Sequence, residues 1–228
     1  MADRAAFTRS DAQKRIRWGR VTVDGKVVRD PALHVDPAAQ KIVYDGRPLG
    51  EEAHVYYMLN KPAGILCVSR DPKAPTVIDL VPLPLKRRGL FPAGRLDKDT
   101  TGLVILTDDG DFAHRMLSPK KQVWKHYIAT LRDPLAAEAR AALETGVTLA
   151  DGTLCRPARF DPDGGSCETG ICITEGRFHQ VKRMFEAVGN RVEALRRVAI
   201  GGLILDPSLP EGGVRPLTEE ERAAVFGG

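Results

Sequence analysis

The sequence predicts an α+β fold: a main domain over residues 53–228, with a mixed and mainly antiparallel sheet, behind a small basic helix-hairpin module over residues 1–50. Three observations predict it. Short apolar, β-branched runs bounded by turn residues recur along the chain, only a few stretches carry helical periodicity, and no regular strand-helix-strand repeat orders them. The hydrophobic and charged fractions, 43% and 28%, are those of a folded chain rather than a disordered one.

In the first module, Ser10-Asp11-Ala12-Gln13 supplies a capping box, Ala12 and Ile16 share a face and Gly19 is a left-handed stop, which predicts a helix over about residues 11–18. Arg20 to Val23 alternates as a strand, Asp24-Gly25 turns, and Lys26 to Arg29 returns. Ile42 to Tyr44 is a further short strand, and Asp45 to Glu52 reads as a linker with the domain boundary near residue 52. Val55 to Leu59 opens the main domain as a strand stopped by Asn60-Lys61-Pro62-Ala63-Gly64. Asp71 to Pro92, proline-rich and including Lys86-Arg87-Arg88-Gly89, reads as an exposed loop. Leu103 to Leu106 is a buried strand, and Phe112 to Leu117 a helix with Phe112, Met116 and Leu117 inward. Tyr127 to Leu131 is a strand, Ala136 to Leu143 a helix with Gly146 at its C-terminal cap, and Leu149 to Gly165 a hairpin region. Ile171 to Thr174 is the next strand, and His179 to Val188 is a helix whose Val181, Met184, Phe185 and Val188 form the core face. Strands over Val198 to Leu205 and a helix starting at Thr218-Glu219-Glu220-Glu221 complete the pattern.

Charge and composition narrow the function. The net charge is only +4, yet residues 1–30 hold eight Lys/Arg against four Asp/Glu and the remainder balances at 26 each, so the N-terminal segment carries the excess. A basic end on a near-neutral body points toward a nucleic-acid partner. The N-terminus lacks the apolar core of a signal peptide, and no apolar run approaches the ~20 residues of a membrane span, which predicts a cytosolic protein with no membrane partner. Cys67, Cys155, Cys167 and Cys172 form no C-x-x-C pair, and the five histidines show no helical ligand spacing. Neither a metal nor another cofactor is expected.

Chemistry concentrates in Gly94 to Thr107, where a polar loop with Asp97, Asp99, Thr100 and Thr101 runs into the Leu103 strand. A rigid element can hold one carboxylate in place at such a mouth. Asp97 and Asp99 also suit plain turn or cap roles. A further reading is the Asp-x-Asp-x-Thr loop of Mg²⁺-dependent phosphohydrolases, in which Asp97 attacks phosphorus. That loop follows a buried strand, whereas Phe91-Pro92-Ala93-Gly94-Arg95-Leu96 is a poor central strand. A non-catalytic RNA-binding protein is the third alternative.

The longer phrase is more specific. Gly94-Arg95-Leu96-Asp97 with Asp99-Thr100-Thr101-Gly102-Leu103, followed by Thr107-Asp108-Asp109-Gly110, resembles the catalytic loop of the RsuA family of pseudouridine synthases. The resemblance continues through Ser118-Pro119-Lys120-Lys121, Lys125-His126-Tyr127 and Glu175 to Phe185, covering the chain from about residue 10 onward. Helix, Gly19-Arg20-Val21 and hairpin likewise resemble the latter half of the small RNA-binding domain shared with a ribosomal small-subunit protein, with its first helix missing from Met1 to Arg9. The family implies a mixed antiparallel sheet, isomerisation of a uridine in ribosomal RNA without cofactor or metal, and, from the Asp-Thr-Thr-Gly and His-Arg-x-x-Ser-Pro wording, 16S RNA as substrate of a monomeric enzyme.

The resemblance also assigns roles. Converting uridine to pseudouridine breaks the C1′–N1 bond, turns the uracil and rejoins it through C5, so an ionised carboxylate beside C1′ is needed, as nucleophile or to stabilise positive character at the sugar. Asp97 matches that catalytic position. Tyr127 matches the aromatic that stacks on the target base; without the motif it reads as a core ring on a strand. Lys182 matches the basic residue paired with the catalytic Asp, where a nearby cation favours the ionised carboxylate, and Arg95 is the second choice. Ile173 is the apolar wall under the base. Arg177, His179, Gln180 and Arg183 are the candidates for contacts to phosphates or bases around a nucleotide flipped from its stack.

Overall fold

A computed structural model describes residues 9–36, 39–48, 54–87, 89–162 and 167–227. The chain divides into two compact units, residues 1–54 with 85–89, and residues 55–84 with 90–228.

The first unit starts with helix α1 (Arg9–Arg17), ended by Gly19 at φ 72°. Strands β1 (Val21–Val23), β2 (Lys26–Val28), β3 (Ile42–Tyr44) and β4 (Arg47–Pro48) form a sheet in the order β2-β1-β3-β4. Asp24 and Gly25 both take positive φ, 50° and 80°, the geometry of the tight turn that Asp-Gly favours. Asp45 and Gly46 repeat it at 47° and 77°, so the segment expected as linker first closes a second hairpin into β4. Arg20 joins its two ends, gripping Asp45 through Nε at 2.7 Å and a second nitrogen at 2.6 Å. The expected linker residues 49–53, the question of a helix before residue 9 and the turn at 163–165 lie outside the described residues.

The second unit is built on strands β5 (Tyr56–Lys61), β6 (Phe91–Ala93), β7 (Thr101–Thr107), β8 (Lys125–Leu131), β9 (Arg159–Phe160), β10 (Glu168–Ile173), β11 (Val192–Ile200), β12 (Leu203–Ile204) and β13 (Val214–Pro216). Their order is β13-β5-β7-β11-β8-β10-β9, with β6 on β7 and β12 on β11. Only β7 and β11 run parallel. Helices α2 (Gly110–Leu117), α3 (Ala137–Thr145), α4 (Gln180–Ala187) and α5 (Glu219–Ala224) complete it, as an α+β fold requires.

Several differences from the sequence expectation have local causes. β5 continues through Asn60 and Lys61 instead of stopping before them, because Asn60 is paired by Gly212 and Gly213 and the Lys61 ammonium is solvated inside the protein. Phe91-Pro92-Ala93 does form a strand, lying outside the main strand order and against β7 alone, where a proline's missing N–H is tolerated. Thr148 to Leu154 makes a single bridge rather than a hairpin ladder. β11 begins at Val192, six residues before the expected strand, and β13 has no counterpart in the sequence reading.

α2 is capped by Asp109, whose carboxylate accepts the Phe112 N–H, and it buries Phe112, Ala113 and Met116. Those side chains join Met58, Leu103, Ile105, Ile200 and Leu203 in one core beneath the sheet. α4 buries Val181, Met184 and Phe185, leaving Lys182 and Arg183 for other work. Gly102 is the closest crossing in this framework: it sits at φ 99°, and a Cβ there would lie 2.2 Å from the Arg197 carbonyl oxygen. β7 and β11 therefore meet only if that position is glycine. Gly102→Ala is expected to cost about 2–5 kcal/mol through backbone strain and overpacking, read as a lower denaturant midpoint at unchanged slope. A midpoint equal to wild type would show that the two strands separate without penalty.

Candidate active site

β7 leaves the sheet at Thr101, and the loop before it lines the mouth of a cleft of about 500 Å³. Seven of the nine expected residues line that cleft: Arg95, Asp97, Tyr127, Ile173, Arg177, His179 and Gln180. Lys182 and Arg183 do not. Asp97 is partly exposed, with the His179 ring nitrogen 3.7 Å from Oδ1 and the Lys182 ammonium 4.0 Å from Oδ2. Tyr127 on β8 and Ile173 on β10 are buried, and the register that pairs Ile171 with Tyr127 and Ile173 with Lys125 turns all four toward the same face. Leu195 and Ile200 of β11 extend the apolar wall.

The expected pairing of Lys182 with Asp97 is present but is the longer of two that Lys182 makes. Lys182 donates to both carboxylate oxygens of Asp99 at 2.7 Å, and Asp97 is only at the edge of ion-pair distance. The preference follows from reach: the loop turns Asp99 outward onto α4 while Asp97 faces the cleft. The bond to Lys182 holds the Asp99 carboxyl below its ordinary pKa. Asp99 thus belongs to a protein cation, which removes the paired-carboxylate arrangement of the phosphohydrolase reading.

Two further assignments change. Gln180 is buried and spends its amide inside the protein: its Oε1 accepts the Arg177 N–H at 2.9 Å, and its Nε2 donates to Glu175 at 2.9 Å. Arg183 is ion-paired with Asp151, and another of its nitrogens is 3.5 Å from the Phe178 carbonyl. Neither side chain is placed to meet a phosphate. Arg177 lines the cleft while reaching Glu175 at 3.3 Å, and Arg95 stands exposed at the rim.

Three buried cations were missed. Lys61 has no exposed surface, and its ammonium donates to the carbonyls of Pro62 at 3.0 Å, Lys98 at 3.1 Å and Thr100 at 2.9 Å. Two of those carbonyls flank Asp99, and Gly64 donates its own N–H to Lys98 at 2.8 Å, so Lys61 fastens the carboxylate loop to the end of β5. Burial lowers its pKa. Arg197 on β11 is 2% exposed, donates from Nε to the Leu103 carbonyl at 2.8 Å, and holds a second nitrogen 3.5 Å from the Tyr127 hydroxyl. Lys125 lies in the same wall, bonded to the carbonyls of Val123 and Thr174, and burial with Arg197 nearby brings its pKa down to about 8. Leu195 and Arg197 are buried because the ladder slips register between Val192 and Ala194; plain alternation from Val192 would have turned Arg196 inward instead.

Among the described residues, one cluster has metal-ligand donor types: His126, Asp161 and Cys172 lie within 4.8 Å of one another. His126 and Cys172 alternate with Tyr127 and Ile173, so the cluster faces away from the cleft. His126 is hydrogen-bonded to Asp161 at 3.0 Å, and burial followed by Asp161 pushes the Cys172 thiol up to about 11. A protonated thiol is a poor ligand.

The mixed sheet presents one carboxylate to a cleft walled by an aromatic and by aliphatic side chains, an arrangement that suits a planar group held beside a carboxylate. The family model described as RNA pseudouridylate synthase matches residues 55–187, and one described as S4 domain matches residues 4–41. The chain is 44% identical to ribosomal small subunit pseudouridine synthase A of Escherichia coli (strain K12), covering 99% of this chain and 97% of that one. It is 42% identical to the uncharacterized RNA pseudouridine synthase YtzG of Bacillus subtilis, over 97% and 94%. A solved structure described as a pseudouridylate synthase superposes with a TM-score of 0.70 at 40% identity, covering 98% and 96%. The chain belongs to the RNA pseudouridylate synthase family and is an RNA-modifying isomerase.

Because Lys61 holds the loop from below, Lys61→Met should destabilise the protein by about 2–4 kcal/mol, the cost of leaving its buried carbonyls unpaired less the relief of burying a charge. Turnover should fall more than RNA affinity, since the loop carries Asp97 and the outer surface is untouched. A Lys61→Met enzyme with wild-type turnover would detach Lys61 from the loop's geometry.

Proposed function

We propose that this chain converts a uridine of ribosomal RNA to pseudouridine, that small-subunit (16S) RNA is the substrate, and that a single chain acts alone. The observation that carries the reading is one juxtaposition: Asp97, Tyr127 and Ile173, from three separated motifs, line the same cleft. The near-complete coverage of the small-subunit synthase relatives supports the choice of RNA.

In this reading the uracil enters between the Tyr127 ring and the Ile173 and Leu195 walls, which demands a nucleotide turned out of its stack. Asp97 then stands at the sugar edge, as nucleophile at C1′ or as the charge that stabilises it while the bond to N1 breaks. The uracil anion released at N1 turns within the apolar walls, C5 bonds to C1′ and displaces the Asp97 carboxylate where it had added, the C5 proton leaves and N1 takes one up. Arg197 fixes the Tyr127 hydroxyl and thereby the tilt of the ring. His179 and Lys182 keep positive charge beside Asp97 when protonated.

Transcripts of small- and large-subunit ribosomal RNA incubated with the protein and mapped for pseudouridine test the substrate. One modified uridine in the small-subunit transcript is expected; modification confined to the large-subunit transcript would reassign the substrate, and none in either would overturn ribosomal RNA. Asp97→Asn should lose at least about 4 kcal/mol of transition-state stabilisation, roughly a thousandfold in rate, with folding and RNA binding retained. Asp99→Asn should be milder, because it touches Lys182 rather than the cleft.

The first unit and its basic helix are proposed to grip phosphates. α1 places Lys14, Arg15 and Arg17 in its last turn. Deleting residues 1–50 should weaken RNA binding and flatten its salt dependence, each lost phosphate contact lowering the log-log slope by about 0.7 on single strands. An unchanged slope would place recognition entirely in residues 55–228.

A further inference from the structure

The cleft accounts for Asp97, Tyr127 and Ile173 but not for the aromatic ring at its rim. Phe178 lines the mouth and is nevertheless 73% exposed. Its ring lies on His179, with centroids 3.8 Å apart and planes 16° from parallel. With one face against His179 and most of its surface in water, the ring offers its other face to solvent.

An exposed phenylalanine on a loosely held loop means little, but this loop is fastened on both sides. The Glu175 carboxylate accepts from the Arg156 N–H at 2.9 Å and from the Gln180 amide at 2.9 Å, while Gln180 accepts the Arg177 N–H. His179 itself adopts φ 49° and ψ 33°, a left-handed conformation disfavoured for a residue with a Cβ and sustained only where the surroundings impose it. The fold thus holds an apolar ring in water by side-chain hydrogen bonds and local strain. Around it Arg95, Lys98 and Arg177 line the same mouth. A flat ring in a mouth that also carries Arg95 and Lys98, with Arg177 held by Glu175, matches a nucleotide, whose base stacks and whose phosphate needs positive charge; an apolar protein segment would meet the ring but leave Arg95 and Lys98 unanswered.

We propose that Phe178, backed by His179, is the stacking platform for the base next to the target uridine, capping the RNA stack where the flipped nucleotide leaves it. The inference rests on the reading that the cleft receives a flipped uridine. Phe178 is a specificity-determining contact outside the chemistry, because it touches the flanking base and not the reacting atoms. Base stacking on an aromatic corresponds to roughly five- to one-hundredfold in affinity.

The test uses the full chain and the fragment of a 16S transcript that it protects from cleavage, so that the probe is chosen by binding and not by activity. Phe178→Ala and Phe178→Leu should each weaken binding by roughly five- to one-hundredfold at an unchanged melting temperature, whereas Phe178→Trp should bind as wild type. Removing the base on one side of the modified uridine should weaken wild type equally and leave Phe178→Ala with no further loss. Leucine as effective as phenylalanine, or an alanine penalty that persists on RNA lacking either neighbouring base, would overturn stacking. The two readings fail separately: isomerisation by wild type with no Phe178 effect removes the platform alone, and a Phe178 stacking signature without any pseudouridine removes the isomerisation site while the platform stands.

Discussion

The Lys61 ammonium inside the protein is the interaction on which the rest of the site depends. A loop that turns Asp97 one way and Asp99 the other must leave backbone carbonyls pointing inward, where water does not reach. Lys61 reaches two of them, at Lys98 and Thr100, together with its own neighbour Pro62. A neutral donor would satisfy one or two carbonyls; an ammonium has three hydrogens and satisfies three. The burial cost of that charge is set against three charge-assisted hydrogen bonds and the nearby Asp97 and Asp99, both of which oppose the lowering of its pKa. Fixing the loop from the end of β5 also fixes where β7 begins, because the two strands pair from Lys61 and Gly102 onward.

From that anchor the architecture follows in sequence. β7 must approach β11 within the distance that only Gly102 allows, and β11 then carries Arg197 into the wall behind Tyr127. The Arg197 Nε is held by the Leu103 carbonyl, one residue beyond Gly102, so the guanidinium that touches Tyr127 is positioned by the strand into which the Asp97 loop runs. Carboxylate and aromatic are thereby indexed to the same piece of backbone. The helices secure the opposite end: α2 buries Phe112 and Met116 against β5 and β7, and Arg215 ties α5 in place through two bonds to Glu221 at 2.7 and 2.8 Å and one to Asp206 at 2.8 Å.

What the sequence made legible were features governed by local rules. Asp24-Gly25, the α4 core face of Val181, Met184 and Phe185, and the strand after Gly102 each depend on residues within a few positions, and each formed as read. Lys61 was illegible for the opposite reason: a lysine before proline reads as a turn, and its acceptors, Lys98 and Thr100, are nearly forty residues away. Arg197 was hidden by its neighbour Arg196, since a basic pair suggests a surface, and the register shift between Val192 and Ala194 that turns Arg197 inward has no local sign in the sequence. The ion pair of Asp99 was not legible, because nothing local indicates that α4 brings Lys182 to it. Gln180 and Arg183 carried the right chemistry for RNA, but Glu175 and Asp151 claim them first.

Electrostatics connects these missed residues to the ligand. Lys125 and Arg197 are buried in one wall; burial first, and the neighbouring guanidinium second, disfavour the Lys125 charge, because arginine does not release its proton in a protein. Its folded pKa of about 8 lies below its ordinary value, so between the two the unfolded chain binds more protons and the stability of the fold rises with pH. Below pH 8 the cost of burying the charge is constant, and at neutral pH Lys125 is still largely cationic. The apolar pocket walls therefore stand on positive charge while the mouth carries Asp97. Ribose-phosphate brings negative charge and uracil brings carbonyl oxygens, whereas the reacting C1′ develops positive character as its bond to N1 breaks. With the base against Lys125 and Arg197 and the sugar against Asp97, as proposed, such a cleft would stabilise that separation of charge more than the uncharged glycosidic bond, which is the condition for accelerating the step rather than merely binding the nucleotide.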